Sequence, residues 1–135
     1  MNYWNMQLHP NDMNWNKEKE LLRKYSLIGL GDWDEEASQQ PNFEKEMCVG
    51  DYVMIKHGGT IIALVKVIGD YHVDEDTNDL LWFQKRRKVV VLDRYNDTYN
   101  YSVTPRKTLE RCVNPNTDMY KSINDWVIKS ENKMK

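Results

Sequence analysis

The stretch GDYVMIKHGGTIIALVKVIGDY, residues 50–71, decides the fold of this chain of 135 residues. The glycine pair Gly58 and Gly59 separates two apolar runs that are rich in β-branched residues, and this pattern predicts a β-hairpin. The second run, residues 60–69, is too apolar to have one face in water, so it predicts a central strand. The stretch therefore indicates a domain that is organised around a sheet.

Shorter elements are predicted on both sides of this hairpin. Before the hairpin they are a strand over residues 2–8, a helix capped by Asn14 or Asn16 that reaches about Tyr25, and a strand over residues 26–31. After the hairpin they are a strand over residues 88–92, a short helix over residues 105–112 and a terminal helix capped by Thr117. Strands and helices do not alternate in βαβ units, so the order predicts a small curved sheet or open barrel with helices packed on it. Residues 129–135 are polar, which predicts a frayed tail or the start of a linker after a domain over residues 1–128.

Charge and cysteine usage restrict the possible partners. The net charge of −2 argues against a protein that coats nucleic acid by bulk electrostatics, so nucleic-acid binding would have to use a local basic patch. Cys48 and Cys112 lie far apart without metal-ligand spacing, so we expect no metal and reduced thiols in the cytoplasm. The first residues do not have the pattern of a signal peptide, and no apolar run approaches the roughly 20 residues of a membrane helix.

Five tryptophans and eight tyrosines recur beside glycine turns and basic residues. Trp33 lies between two aspartates, which disfavours complete burial, and Trp82 precedes the cationic run of residues 85–88. Flat rings near cations suit a nucleobase that is attached to a phosphate chain. Other interpretations stay open, because Trp33 could plug an end of the barrel and the cationic run could be a solvated sheet edge. Trp15 could be a hydrophobic staple of the first helix or a second stacking wall.

Several segments, taken in their order and spacing, resemble a known family. They are Asn2-Tyr3-Trp4, residues 28–35, residues 50–53, Gly58-Gly59, residues 62–71 and residues 87–92. Together they resemble an EVE domain of the PUA-like superfamily, and most of all the N-terminal DNA-recognition domain of McrB-type modification-dependent restriction systems. The resemblance implies an α+β fold, a PUA-like pseudo-barrel of about five to six mixed strands with flanking helices. It also implies an aromatic-lined pocket that receives a modified base flipped out of DNA.

The resemblance and the residue pattern together give a set of candidate site residues. Trp33, Tyr71 and Arg87 match the family's motif positions, and Asp34 could accept a hydrogen bond from an exocyclic amine or simply stabilise a turn. The candidate base-binding cage is Trp33, Tyr71, Trp82, Trp15 and Asp34, and the candidate phosphate-binding residues are Lys85, Arg86, Arg87, Lys88 and Arg106. No phosphate-binding loop and no nucleophile motif is present in the sequence, so we expect no enzyme and no cofactor.

The function predicted from the sequence is a reader module for a methylated base in DNA. The resemblance implies a McrB-type GTPase and a nuclease subunit as partners, and no membrane. The first alternative is a PUA-like RNA-binding module that recognises a modified nucleotide. The second alternative, slightly favoured by the acidic isoelectric point near 5.9, is a nucleotide-binding or protein-interaction domain.

Overall fold

A computed structural model describes residues 1–10, 14–31, 39–96 and 109–133. Within these ranges, seven strands form one curled mixed sheet, a half-barrel. The strands are β1 (Tyr3–Gln7), β2 (Leu27–Leu30), β3 (Tyr52–His57), β4 (Thr60–Val67), β5 (His72–Val73), β6 (Lys85–Arg94) and β7 (Leu109–Cys112). The helices are α1 (Glu18–Tyr25) and α2 (Asp118–Lys133), and a π-helical turn covers Asn42–Glu46. The predicted α+β pseudo-barrel is confirmed, with seven strands in the described part instead of five to six.

The predicted hairpin forms the centre of this sheet. β3 and β4 pair antiparallel, and Gly58 in their turn has a φ of 57°, a conformation that glycine adopts at little cost. β4 lies between β3 and β6 in the sheet order β2-β6-β4-β3-β1-β7. Both of its faces are buried, because Val65 packs into the core inside the half-barrel and Leu64 into a second core. This explains the consecutive apolar residues at positions 61–65.

The second core joins the outer face of the sheet to the terminal helix. The side chains of Ile123, Trp126 and Val127 on α2 are buried there, as their helical spacing predicts. Thr117 precedes the helix, and its hydroxyl accepts a hydrogen bond from the backbone N–H of Tyr120 at 3.3 Å, which confirms the predicted cap.

Asp51 explains why a glycine–aspartate turn precedes β3. Its buried carboxylate accepts hydrogen bonds from the backbone N–H of Asn2 at 2.9 Å and of Cys48 at 2.9 Å, and from the indole N–H of Trp4 at 3.0 Å. Hydrogen bonds to an ionised acceptor are among the stronger ones in proteins. This carboxylate therefore fastens the start of β1 beside the start of β3, with which β1 pairs in parallel.

Residues 109–112 and the start of α1 differ from the sequence prediction. Residues 109–112 were predicted as part of a short helix, yet they form β7, which pairs antiparallel with β1. The remaining residues of that predicted helix, 105–108, lie outside the described residues. α1 begins at Glu18 after Lys17, whose side chain makes no capping hydrogen bond, so the predicted cap by Asn14 or Asn16 is wrong.

The terminal helix is also longer than predicted. It continues through residues 129–133, which were predicted to belong to a polar tail. Ser130 is buried against the fold, and the carboxylate of Glu131 accepts a hydrogen bond from the hydroxyl of Tyr52 at 2.7 Å. These contacts hold the last turns of α2 on the sheet.

Candidate nucleic-acid interface

Three chain segments meet at the N-terminal end of β6. Lys85 starts this strand and pairs with Leu30, the last residue of β2, on one side. On the other side Lys85 pairs with Val73 of β5. We call this end of β6, with its two flanking residues Leu30 and Val73, the rim.

The predicted aromatic residues belong to the segments that reach the rim. Tyr71 directly precedes β5, and Trp82 comes three positions before Lys85. Trp33 comes three positions after Leu30 in the sequence, but Trp33 and Asp34 lie outside the described residues. The structure therefore places Tyr71 beside β6 and Trp82 shortly before it, and it describes β2, which ends three residues before Trp33 in the sequence.

Two aromatic groups flank β6 at the rim. The half-buried ring of Tyr71 meets Phe43 edge-on, with ring centroids 6.0 Å apart at an interplanar angle of 80°. The half-buried ring of Trp82 meets Phe83 at 4.9 Å and 88°, and it meets Trp15 at 6.4 Å and 79°. Edge-to-face contacts of this kind are favourable and restrict how each ring can turn. Trp82 and Tyr71 are thus held in fixed orientations at the edges of these groups.

Trp15 supports this arrangement from behind. Its side chain is buried, and its indole N–H donates a hydrogen bond to the backbone carbonyl of Asp79 at 2.9 Å. A buried ring whose polar atom is engaged in the fold offers little surface to a ligand. Trp15 therefore supports Trp82 through a ring contact, and it does not form a second open wall of the predicted base-binding cage.

Arg87 holds the aromatic group of Tyr71 and is not available to a phosphate. Only 4% of Arg87 is exposed, and this burial lowers the pKa of its guanidinium. The guanidinium donates to the backbone carbonyls of Phe43 at 2.8 Å, Met47 at 2.7 Å, Glu44 at 3.0 Å and Gly69 at 3.1 Å. The phosphate-binding role predicted for Arg87 is therefore corrected to a structural one, since its donors join β6 to the π-helical turn.

Arg86 holds the other aromatic group in the same way. It is buried, and its guanidinium donates to the carbonyl of Phe83 at 3.0 Å and to the carbonyl of Asp76, and it pairs with the carboxylate of Asp74 at 3.1 Å. Its predicted phosphate-binding role is corrected for the same reason. Neighbouring residues of a strand point to opposite faces, so Arg86 and Arg87 hold the two groups on the two faces of β6, and Tyr71 and Trp82 do not form two walls of one pocket.

The other predicted phosphate-binding residues have different surroundings. Lys88 is exposed, and its ammonium group donates to the carbonyl of Tyr25, the last residue of α1, at 3.2 Å. Lys85 is half-buried at the rim, and Arg106 lies outside the described residues. The sequence analysis missed Arg23 and Lys24, which are exposed in the last turn of α1. Cations at that position usually complement the helix dipole, so they do not by themselves indicate a ligand.

The described residues show free thiols and no metal-binding cluster. Cys48 is exposed and Cys112 is buried, and burial raises the pKa of the Cys112 thiol. Within the same residues, no group of three or more His, Cys, Asp or Glu side chains could hold a metal ion. No helix in this part of the chain is long and apolar enough to span a membrane.

Solved structures share this fold, whereas no family model and no curated protein matches the chain. One similar structure is the YTH domain of Pho92 in complex with m6A, with a TM-score of 0.55 and 10% identity over 95% of this chain and 81% of that chain. A second is the YTH domain of Zygosaccharomyces rouxii MRB1 in complex with N6-methyladenosine RNA, with a TM-score of 0.53 and 9% identity over 95% of this chain and 84% of that chain. A third is a hypothetical protein from Leishmania major, with a TM-score of 0.50 and 13% identity over 100% of this chain and 98% of that chain. The chain therefore shares the fold of these YTH domains. At these identities the likeness concerns the fold alone, and the resemblance to EVE domains of McrB-type systems stays a prediction.

Proposed function

We propose that this domain binds a methylated base of a nucleic acid at the rim, without a chemical step. The observation that carries the proposal is the half-buried ring of Trp82 three residues before β6, whose first residue pairs with the end of β2. Trp33 follows the end of β2 by three residues in the sequence. Support comes from the fold, because two YTH domains that share it were solved with N6-methyladenosine ligands. In the proposed complex, the base stacks on Trp82 and Trp33, and Asp34 accepts a hydrogen bond from its exocyclic amine.

The energies of such a site are sufficient for recognition. Stacking of a base on one aromatic side chain contributes roughly 1–3 kcal/mol. Extruding a base from a duplex costs a few kcal/mol, and less if the strand is already single. The rings of Trp82 and Trp33 together therefore offset the extrusion, and the methyl group adds apolar contact that an unmodified base lacks.

Two polymers are compatible with this site. The sequence resemblance favours duplex DNA with a flipped base, and a McrB-type GTPase and nuclease as the partners that this domain would direct to modified DNA. RNA is the second candidate, since the Zygosaccharomyces rouxii YTH domain was solved with N6-methyladenosine RNA. N6-methyladenine can occur in either polymer, so we propose it as the base.

The test is a binding titration with matched oligonucleotides that differ in one N6-methyl group. They are prepared as single-stranded RNA, single-stranded DNA and duplex DNA. We expect a preference for the methylated oligonucleotide in at least one polymer, and Trp33→Ala and Trp82→Ala should each weaken methylated binding by roughly 5- to 150-fold, the equivalent of 1–3 kcal/mol. Tyr120→Ala is the control, because this half-buried tyrosine lies on α2 and packs on Tyr3.

Thermal melting of each variant separates loss of the site from loss of the fold. Equal affinity for methylated and unmethylated oligonucleotides in all three polymers would refute the proposed function. If both tryptophan variants bind the methylated oligonucleotides with wild-type affinity, neither tryptophan stacks on the methylated base. A loss in the Tyr120 variant as large as in the tryptophan variants would show that binding does not depend on the rim.

A further inference from the structure

Three exposed cations come together at the C-terminal end of α1. Arg23 and Lys24 lie in the last turn of this helix, and the ammonium group of Lys88 reaches the carbonyl of Tyr25 at 3.2 Å. β6 places Lys88 there, because Leu27, just after the helix, pairs with it. We call Arg23, Lys24 and Lys88 the cation cluster.

The positive charge of the cation cluster is not neutralised by carboxylates of the described residues. None of its three members is in an ion pair there, whereas other cations of that part of the chain are: Lys17, Arg86, Arg111, Lys129 and Lys133. The C-terminal end of a helix carries about half a negative charge. Glu20 lies one turn before Lys24 on the same side of the helix and adds further negative charge. Three cations exceed these contributions, so the local field stays positive.

The cation cluster is physically continuous with the rim. Lys24 lies over the ring of Tyr25, with 5.5 Å between its ammonium nitrogen and the ring centroid. The hydroxyl of Tyr25 accepts a hydrogen bond from the side-chain amide of Asn78 at 3.3 Å, and the amide oxygen of Asn78 accepts the backbone N–H of Leu81 at 2.8 Å. Leu81 directly precedes Trp82. These contacts connect the cations to the segment that carries one wall of the proposed site.

The distance from the cation cluster to the rim suits a nucleotide chain. Lys88 is three residues along β6 from Lys85, which at about 3.3 Å per residue separates their backbones by about 10 Å. Because lysine and arginine side chains are long and flexible, their charged groups can lie closer to the rim or farther from it than this backbone separation. A phosphate next to a base that is held at the rim is therefore within range of these side chains.

We infer that the cation cluster binds the phosphodiester backbone of the nucleic acid whose modified base the rim holds. This inference rests on the proposed function for the identity of its ligand. The phosphate contacts are then made by Arg23, Lys24 and Lys88, because Arg86 and Arg87 are buried and donate hydrogen bonds to backbone carbonyls. A few contacts from one local patch are compatible with a chain whose net charge is −2.

The test compares two double variants that lose the same charge. Lys24→Gln with Lys88→Gln removes two members of the cation cluster. Arg94→Gln with Lys121→Gln removes two exposed cations at the far end of β6 and on α2. Binding of methylated and unmethylated single strands of RNA and of DNA is measured over a range of salt concentrations, and melting temperatures are recorded for all variants.

We expect the slope of the logarithm of affinity against the logarithm of salt concentration to become shallower by about 1.4 in the Lys24 and Lys88 variant, at about 0.7 per contact on a single strand. At about 0.05 M salt this corresponds to roughly 60-fold weaker binding of either strand. The ratio of methylated to unmethylated affinity should not change. The Arg94 and Lys121 variant should keep the wild-type slope.

An unchanged slope in the Lys24 and Lys88 variant overturns the inference, as does an equal loss of slope in the control. If the wild type does not prefer methylated strands but the Lys24 and Lys88 variant still loses slope, the proposed function fails and the phosphate site stands. If the wild type prefers methylated strands and the Lys24 and Lys88 variant keeps the wild-type slope, the proposed function stands and the phosphate site fails. Absence of binding to any strand at low salt overturns both.

Discussion

Replacing Arg87 by methionine tests whether this arginine builds the site or binds the ligand. The substitution removes a guanidinium that serves four backbone carbonyls at distances between 2.7 and 3.1 Å. Each buried carbonyl that loses its partner costs about 1–3 kcal/mol if nothing replaces the donor. Local relaxation and entry of water recover part of this, and the desolvation of the arginine itself is relieved. The expected loss is therefore about 3–5 kcal/mol, the range for breaking a buried charged contact.

This loss is measurable as a shift in melting temperature. The entropy of unfolding is about 2.1 cal/mol/K per residue, which gives about 0.28 kcal/mol/K for 135 residues. A loss of about 4 kcal/mol then lowers the melting temperature by about 14 °C. Lys88→Met is the control, since it also removes one cation from β6 but at an exposed position, where substitutions usually change stability by less than about 0.5 kcal/mol.

Urea titration and calorimetry of the two variants decide between the roles of Arg87. A melting temperature of the Arg87→Met variant within about 3 °C of the wild type, combined with a shallower salt dependence of oligonucleotide binding, would refute the structural role. Arg87→Lys adds a second check. A lysine keeps the charge but cannot reach four acceptors at once, so it should restore only a small part of the lost stability.

Two further outcomes follow from the packing and the ionisation of single residues. Gly29→Ala should lower the free energy of unfolding by about 1–3 kcal/mol in urea titration, because a Cβ there would lie 1.9 Å from the ring of Phe83. Gly59→Ala is the control, because a Cβ at Gly59 meets no atom within 4 Å, and it should leave stability nearly unchanged. Burial and the hydrogen bond to Glu131 raise the pKa of Tyr52 to about 12 from 10.0, so the folded state holds this proton more tightly than the unfolded state. The stability that Tyr52 contributes is then complete below pH 10 and lost as the pH rises towards 12. Unfolding free energies across this interval should fall less steeply in Tyr52→Phe, and parallel pH profiles would contradict the assignment.

The central hairpin and the terminal helix could be predicted because local pattern and tertiary environment agree there. The Gly58 turn lies between runs whose apolar character matches a strand that is buried on both faces, β4. The stripe of Ile123, Trp126 and Val127 lies on one side of a helix with one face on the sheet. In such elements the sequence pattern directly describes the burial, so no knowledge of distant partners is needed.

Two parts of the chain could not be predicted in this way because their conformation depends on distant residues. β7 is a strand because β1, more than 100 positions earlier, offers it an unpaired edge. Arg86 and Arg87 resemble a surface patch in the sequence, yet Arg86 reaches the carbonyl of Asp76 and Arg87 that of Phe43, which only the fold brings near. Trp33, Asp34 and Arg106 lie outside the described residues, so their predicted roles stay predictions.

The burial of the two arginines bears directly on how such a domain could select its ligand. Arg86 and Arg87 hold the two aromatic groups and do not face solvent, so the exposed cations beside the rim are Arg23, Lys24 and Lys88 of the cation cluster. A protein with few phosphate contacts gains little affinity for nucleic acid in general, and less still at high salt. Most of its binding free energy must then come from the base, where stacking and methyl contact differ between ligands. Under the proposed function, a net negative charge therefore favours discrimination, because it reduces the non-specific background against which one modified base would be recognised.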